Sequence, residues 1–226
     1  MNGFFMACAT SAMMVEPPVD GQTGVWLKSG STVISSVMRM TGAVVVSGVS
    51  QRVYDRGVAD STVINGGDVV VFSGGTANSG VLSAGGLTIS AAGTGNNCVI
   101  CGGRMNFYAG ANGSGTINSG GNLWFVNAPN VTDTTNAAGL LYVHAGTLNC
   151  ATINGGGMAV SSGAAANDLV VNGGNVTVRP GGRVSAVVLN SGGVLVVSSG
   201  ASALAVTSNA GASVTIRDGG HIEYDE

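Results

Sequence analysis

The sequence is poor in charged and aromatic residues, which make up only 8% and 5% of its 226 positions. It has 4 prolines and no apolar run of roughly 18 residues or more, so neither a collagen-like helix nor a transmembrane helix is predicted. Disordered chains combine low hydrophobicity with high charge, whereas this chain is 45% hydrophobic. Its formal net charge of −3 is too small to indicate a nucleic-acid partner.

Glycine is abundant, with 39 residues, and it recurs along the chain at intervals of roughly 18 residues. So much glycine argues against a helical bundle, because each one costs about 1 kcal/mol in a helix relative to alanine. One series closes an N/S-x-G-G-like turn: Gly67, Gly86, Gly103, Gly121, Gly139, Gly157, Gly174, Gly193 and Gly211. A second series lies between its members: Gly74, Gly93, Gly110, Gly146, Gly163, Gly181, Gly200 and Gly219. Each unit therefore contains two turns and two short segments.

The segments between the turns alternate polar and apolar residues, as in residues 104–107 (RMNF) and 175–179 (NVTVR). A period of two is typical of a strand with one face inside and one face outside. One unit cannot bury its apolar face alone, but stacked units can. We therefore predict an all-β fold, a single-stranded β-solenoid (β-helix) of about nine or ten rungs, with an 18–19-residue repeat and two short strands per rung. At roughly 4.8 Å per rung, the rod is about 45 Å long.

An asparagine follows one of the segments in five consecutive units. Asparagine tolerates left-handed turn geometry, and amides stacked in register can bond to one another along the axis. We therefore predict an asparagine ladder formed by Asn118, Asn136, Asn154, Asn172 and Asn190. A row of amides presented to a ligand is the alternative interpretation.

The two ends differ from the repeats. Residues 1–24 contain an uncharged, apolar stretch at 1–15, and they are interpreted as a hydrophobic cap, a docking segment or an export signal. Residues 25–216 are assigned to the solenoid, with less regular first rungs. Residues 217–226 concentrate charge and are predicted to form a charged C-terminal cap, since open strand edges would otherwise pair with other chains.

No catalytic, cofactor-binding or metal site is predicted, and the chain is not expected to be an enzyme. Cys98 and Cys101 form the sole C-x-x-C pair and have no nearby histidine, which is poor support for zinc. The carboxylates within the repeats do not recur at the unit spacing: Asp55, Asp60, Asp68, Asp133 and Asp168. A carbohydrate-active β-helix enzyme, the less favoured alternative, would need two such acids within about 10 Å of each other.

Residues 44–51, 53–67 and 70–86 carry a distinctive pattern of valines, Ser/Thr and paired glycines, as in VVFSGGTANSGVLSAGG. This pattern resembles the strand-loop-strand repeat of AIDA-type autotransporter passengers, and the resemblance extends over about residues 43–220. It implies a bacterial surface β-solenoid that mediates adhesion and aggregation. It also implies O-glycosylation with heptose by a dedicated transferase, with candidate acceptors at Ser61, Thr62, Ser79, Thr116, Ser119 and Thr152.

The chain departs from that family in having four cysteines and no C-terminal translocator barrel, so we expect a free-standing relative. Our expectation is a non-enzymatic, secreted or cell-surface structural rod that acts in adhesion, aggregation or assembly through its strand faces. Its expected partners are other copies of itself, a host-surface or glycan receptor, and a heptosyltransferase, but no nucleic acid. The alternative is a phage or particle-associated fibre module that docks on a partner through residues 1–24 and is virion-associated.

Overall fold

The computed structural model describes residues 21–127 and 130–225, which form 25 β-strands and no helix. Most of the predicted N-terminal segment, residues 1–20, lies outside the described residues. In chain order the strands are β1 (Val25–Ser29), β2 (Thr32–Val37), β3 (Arg39–Thr41), β4 (Val44–Val46), β5 (Val49–Val53), β6 (Val58–Asp60), β7 (Val63–Val71), β8 (Thr76–Asn78), β9 (Val81–Ile89), β10 (Thr94–Asn96), β11 (Val99–Ile100), β12 (Arg104–Phe107), β13 (Asn112–Ser114), β14 (Ile117–Phe125), β15 (Asn130–Thr132), β16 (Thr134–Val143), β17 (Gly146–Ile153), β18 (Gly157–Val160), β19 (Ala164–Val171), β20 (Gly174–Val178), β21 (Arg183–Leu189), β22 (Gly193–Val197), β23 (Ser202–Ser208), β24 (Ser213–Ile216) and β25 (His221–Tyr224). Within this part of the chain there is accordingly no helix that could cross a membrane.

The strands wind into a solenoid in which every coil has three faces. β7 shows the arrangement, because its first residues pair with β4 on the first face and its last residues pair with β5 on the second face. β3, β6, β8, β10, β13 and β15 form a separate six-stranded parallel sheet, the third face. Successive coils stack in parallel register with a repeat of about 18 residues over about 10 turns, which confirms the predicted all-β solenoid.

Most coils contain two hydrogen-bonded strands, because one strand continues around a corner. In β7, β9, β14 and β16 that strand spans the first and second faces. From β17 onward it spans the third and first faces instead, as in the pairing of β17 with β19. The predicted two strands per rung are thus present, but they cover three faces.

An antiparallel hairpin forms the beginning of the described rod. β1 lies between β2 and β5 and is antiparallel to both. Trp26 on β1 meets Tyr54 edge to face at 5.6 Å, and Tyr54 stacks on Phe72 at 5.0 Å. The hairpin reverses the chain direction, so the first part of the segment assigned to repeats does not follow the parallel stacking of the later coils.

The last described coil is built from β24 and β25. β24 pairs with β22, and β25 pairs with β23 from His221 to Tyr224. The charged residues predicted to form a C-terminal cap belong in part to this coil, where His221 Nε2 lies 3.0 Å from Glu223 Oε1. No coil follows β24 and β25 among the described residues, so their outer edges are unpaired there.

The core is a narrow column filled by the inward residues of the three faces. On the second face, Leu87, Met105, Leu123 and Leu141 succeed one another at the same position of consecutive coils, and each is almost fully buried. The next inward position contains Phe107 and Phe125, whose rings stack at 5.4 Å. Aliphatic side chains fill most of such a thin interior, which explains the small number of aromatic residues.

The corner between the third and first faces of each coil is not marked by a regular glycine. The sequence therefore did not reveal it. Here the backbone takes a left-handed conformation with φ between 50° and 66° in nine successive coils, and eight of these positions are not glycine. The residues are Ser61, Ser79, Asn97, Gly115, Asp133, Cys150, Asp168, Ala186 and Ala205. This conformation costs an L-residue roughly 1–2 kcal/mol, so the stacking of the coils must impose it.

Two threonines are buried in the core without hydrogen-bond partners for their hydroxyl groups. Thr116 and Thr134 are 0% and 1% exposed, and neither Oγ1 atom has a partner. The same inward position is apolar in the later coils, where Ala151, Leu169 and Val187 follow Thr134 in register. An unsatisfied buried hydroxyl costs about 1–3 kcal/mol.

We expect the double variant Thr116→Val and Thr134→Val to raise the free energy of unfolding by about 2 kcal/mol or more, because two buried hydroxyls that each cost about 1–3 kcal/mol are removed without loss of shape. Urea unfolding followed by circular dichroism measures the change. Thr152→Val is the control, since this side chain is half-buried and its replacement should change stability by about 0.5 kcal/mol or less. A double variant that is less stable than the parent would show that the hydroxyl groups are bonded after all.

Candidate binding surface

An aromatic stack stands out on the outer surface of the second face. Trp124 and Tyr142 occupy the same outward position in consecutive coils, and their rings stack with centroids 4.3 Å apart and planes inclined by 28°. Arg104 lies on the coil before that of Trp124, and its guanidinium carbon is 4.4 Å from the centre of the Trp124 ring. Arg104 is fixed further because its Nε donates to Asn106 Oδ1 at 2.7 Å. The coil repeat brings these side chains into contact, since neighbouring parallel strands lie about 4.8 Å apart.

A shallow groove begins where this stack ends. The residue that follows Tyr142 in register is Ala159, and Gly157 lies beside it on the same strand. These small residues leave a groove of about 230 Å³ next to the Tyr142 ring. The far side of the groove is lined by Asn175 and Thr177 on the following strand, β20, and by Arg179 just beyond its end.

The surface between Arg104 and Arg179 is positively charged. The outward positions of the second face carry no carboxylate from the coil of Arg104 to that of Arg179. Within the described part of the chain, neither guanidinium forms an ion pair. The two residues are four coils apart, which is about 19 Å at roughly 4.8 Å per coil.

Sequence reasoning missed this surface, although a signal was present. Trp124 and Tyr142 are separated by one unit of the repeat, so the two large aromatic residues fall at equivalent positions. In a parallel stack, equivalent positions become neighbours in space. The position of a residue within its unit therefore indicates the contact, whereas composition and local motifs do not.

The five asparagines predicted to form one ladder lie in two separate arrays. Asn118 and Asn136 are fully buried, and Asn118 Nδ2 donates to Asn136 Oδ1 at 2.8 Å. Asn136 Nδ2 does not reach Asn154 but donates to the carbonyl oxygens of Gly155 and Gly157. The reason is that this coil is one residue shorter than the coil before it, which places Ile153 rather than Asn154 opposite Asn136.

The second array lies at a more exposed corner of the later coils. Asn172 Nδ2 donates to Asn154 Oδ1 at 2.8 Å, and Asn190 Nδ2 donates to Asn172 Oδ1 at 2.7 Å. Asn209, which the sequence analysis did not include, continues the array by donating to Asn190 at 2.7 Å. These amides bond mainly to one another, which limits their capacity to bind a ligand.

Further amide chains occur on the third face. Asn78 Nδ2 donates to Asp60 Oδ1 at 3.0 Å, and Asn96 Nδ2 donates to Asn78 Oδ1 at 3.2 Å. Later in the chain, Asn167 donates to Asn149 in the same way at 3.0 Å. Stacked amides are thus a general means of joining coils in this rod.

The candidate glycosylation acceptors differ in accessibility. Ser61, Ser79 and Ser119 are exposed, and Thr152 is half-buried. Thr62 and Thr116 are buried, and Thr62 Oγ1 donates to Gln51 Oε1 at 3.1 Å. A transferase could therefore reach these two hydroxyls only before the coils close.

The cysteines and acids occupy separate environments. Burial raises the pKa of the Cys98 thiol to about 11, and a backbone hydrogen bond with Gly80 lowers this pKa by a smaller amount. Cys101 and Cys150 are exposed free thiols. Burial also raises the pKa of Asp68, opposed by the charge of Arg52. In residues 21–127 and 130–225, no group of three or more His, Cys, Asp or Glu side chains could hold a metal ion.

The fold defines the chain as a β-solenoid repeat protein. No family model matches it, and no curated protein matches it. Among solved structures, it is similar to a hyper-glycosylated fragment of TibA whose glycosylation is catalysed by TibC. The two are 22% identical, the match covers 82% of this chain and 91% of the other, and the TM-score is 0.49.

Proposed function

We propose that this protein is a non-enzymatic rod at a cell surface or in the extracellular space that mediates adhesion, aggregation or assembly. The observation that carries the proposal is the surface stack of the exposed Arg104 with the half-buried Trp124 and Tyr142 on a rigid strand face. Aromatic residues and arginine are the side chains that contribute most to binding at protein surfaces. Elsewhere, charged and aromatic side chains are sparse in this chain.

The rod would bind through one face, with a host-surface or glycan receptor or another copy of the chain as its partner. Repeat proteins use extended surfaces of this kind because their coils are rigid and in register. The exposed hydroxyl groups of Ser61, Ser79 and Ser119 would accept sugars from a heptosyltransferase, and Ser61 and Ser79 lie at the corner between the third and first faces, away from the second face.

A second candidate function is docking to a phage or other particle through the N-terminal end of the rod. Three apolar side chains are exposed there, Val33 at 43%, Val37 at 42% and Met38 at 51%. Exposed apolar clusters of this kind are typical of interaction sites. Intact residues 1–24 in the mature protein would favour docking, whereas their removal would favour export.

The adhesive function can be tested with beads coated with the folded full chain. We expect such beads to clump or to adhere to a layer of glycosylated cells, since many weak sites act together on a bead. Beads coated with an unrelated protein of similar net charge are the control. If beads carrying protein with an intact β-sheet spectrum neither clump nor adhere, the proposal is wrong.

A further inference from the structure

The geometry points to a binding site for an acidic sugar ring in the groove beside Tyr142. This inference rests on the proposed adhesive function and specifies the chemistry that the second face would recognise. Tyr142, Ala159, Asn175, Thr177 and Arg179 form the site, and all of them border the same groove.

The Tyr142 ring borders the groove with an apolar surface. Trp124 covers one face of this ring at 4.3 Å, and Ala159 takes the place of a further aromatic residue on the next coil. Ala159, itself only 9% exposed, offers a single methyl group where a third ring would stand, and the apolar Tyr142 ring borders the groove beside it. The C–H face of a sugar is a suitable partner, because aromatic side chains combine a flat apolar body with a polar edge.

The site is preorganised around Tyr142. Tyr142 is fixed by Trp124, which in turn is fixed by the guanidinium of Arg104. A ligand that stacks on Tyr142 therefore does not have to order a mobile side chain, and this saves the entropy that binding usually costs. The groove of about 230 Å³ is smaller than the roughly 300–1,000 Å³ of sites for drug-sized ligands, which fits a single sugar ring.

A polar wall faces Tyr142 across the groove. Thr177 Oγ1 donates to Asn175 Oδ1 at 3.4 Å, so the amide N–H groups of Asn175 can serve as donors to sugar hydroxyls. A few polar groups that face an apolar surface are the arrangement that orients small ligands. Asn175 and Thr177 lie two residues apart on β20, so both side chains point outward from the same sheet.

The charge of Arg179 favours an acidic sugar over a neutral one. Arg179 is exposed at the groove and, among the described residues, forms no ion pair. Its planar guanidinium matches a carboxylate with two parallel hydrogen bonds. No carboxylate lies on the outward positions between Arg104 and Arg179 to compete with the ligand.

The test is an NMR titration of the full chain with a tetramer of galacturonic acid and, separately, with the neutral tetramer of galactose. We expect the acidic tetramer to bind more tightly and to shift the resonances of Tyr142 and Thr177. Tyr142→Ala should weaken binding of the acidic tetramer at least about tenfold, and Arg179→Gln should weaken it about tenfold with little effect on the neutral one.

Two further variants separate binding from folding. Ala159→Tyr should extend the aromatic stack, fill the groove and abolish binding of the acidic tetramer while the protein remains folded. Arg183→Gln removes the same charge from another face and should leave binding unchanged. Binding that survives Ala159→Tyr, or that favours the neutral tetramer, would overturn the inference.

The outcomes also distinguish this inference from the proposed function. If beads coated with the parent protein and beads coated with the Tyr142→Ala variant adhere equally well, adhesion remains the function, but the sugar site does not contribute to it. Conversely, if the protein binds the acidic tetramer tightly but beads coated with it do not adhere, the sugar site is supported and the adhesive function is contradicted.

Discussion

Replacing Gly139 with alanine is expected to lower the free energy of unfolding by about 4 kcal/mol or more. Gly139 has a φ of +84°, where an L-residue pays roughly 1–2 kcal/mol. The added Cβ would also lie 2.4 Å from the carbonyl oxygen of Gly121 on the preceding coil, so the backbone would have to move. Urea unfolding followed by circular dichroism measures the loss.

The matched control for this prediction is Gly163→Ala. Gly163 has a similar φ of +73°, but a Cβ added there would meet no atom within 4 Å. This variant should therefore lose only the backbone contribution of about 1–2 kcal/mol. Equal losses in the two variants would show that left-handed geometry alone, and not the close stacking of coils, explains the glycine at position 139.

Replacing Phe125 with alanine is expected to cost about 3–5 kcal/mol of unfolding free energy. Phe125 is fully buried and stacks on Phe107 of the preceding coil at 5.4 Å. Each coil is thin, so its neighbours cannot collapse into the cavity without breaking the parallel register. The loss is measured by urea unfolding under the same conditions.

Phe125→Leu is the control for the core, because it retains most of the apolar volume and should cost about 1–2 kcal/mol. Val33→Ala, at an exposed position of the N-terminal hairpin, should have a much smaller effect. If Phe125→Ala were no worse than Phe125→Leu, the stacked phenylalanine pair would not be a main element of the core.

The repeat could be predicted from the sequence because glycine is needed where the backbone turns with positive φ and adjacent coils approach closely. The Gly139 position illustrates both requirements. The corner between the third and first faces escaped prediction because Ser61, Ala186 and similar residues adopt the left-handed conformation without a glycine to mark it. The number of faces per coil therefore depended on tertiary stacking, which local residue preferences do not report.

The asparagine ladder shows how a change of one residue in the length of a coil alters the surroundings of a side chain. Asn118, Asn136 and Asn154 are evenly spaced in the sequence, but the coil that follows Asn136 is one residue shorter and returns to the same position at Ile153. A shift of one residue moves a side chain from the inside of a strand to the outside. Asn136 is consequently buried and Asn154 is exposed, although equal spacing in sequence suggested equal surroundings.

The direction of the hydrogen bonds between coils has a mechanical consequence for the rod. All coils from β5 to β25 stack in parallel, so their backbone hydrogen bonds run along the rod axis. Tension applied along that axis stretches the hydrogen bonds between one pair of coils at a time. A force applied across the axis is instead shared by the hydrogen bonds of many coils. A ligand bound at the proposed Tyr142 groove, on the side of the rod, would load the stack across its axis, the direction in which it resists best.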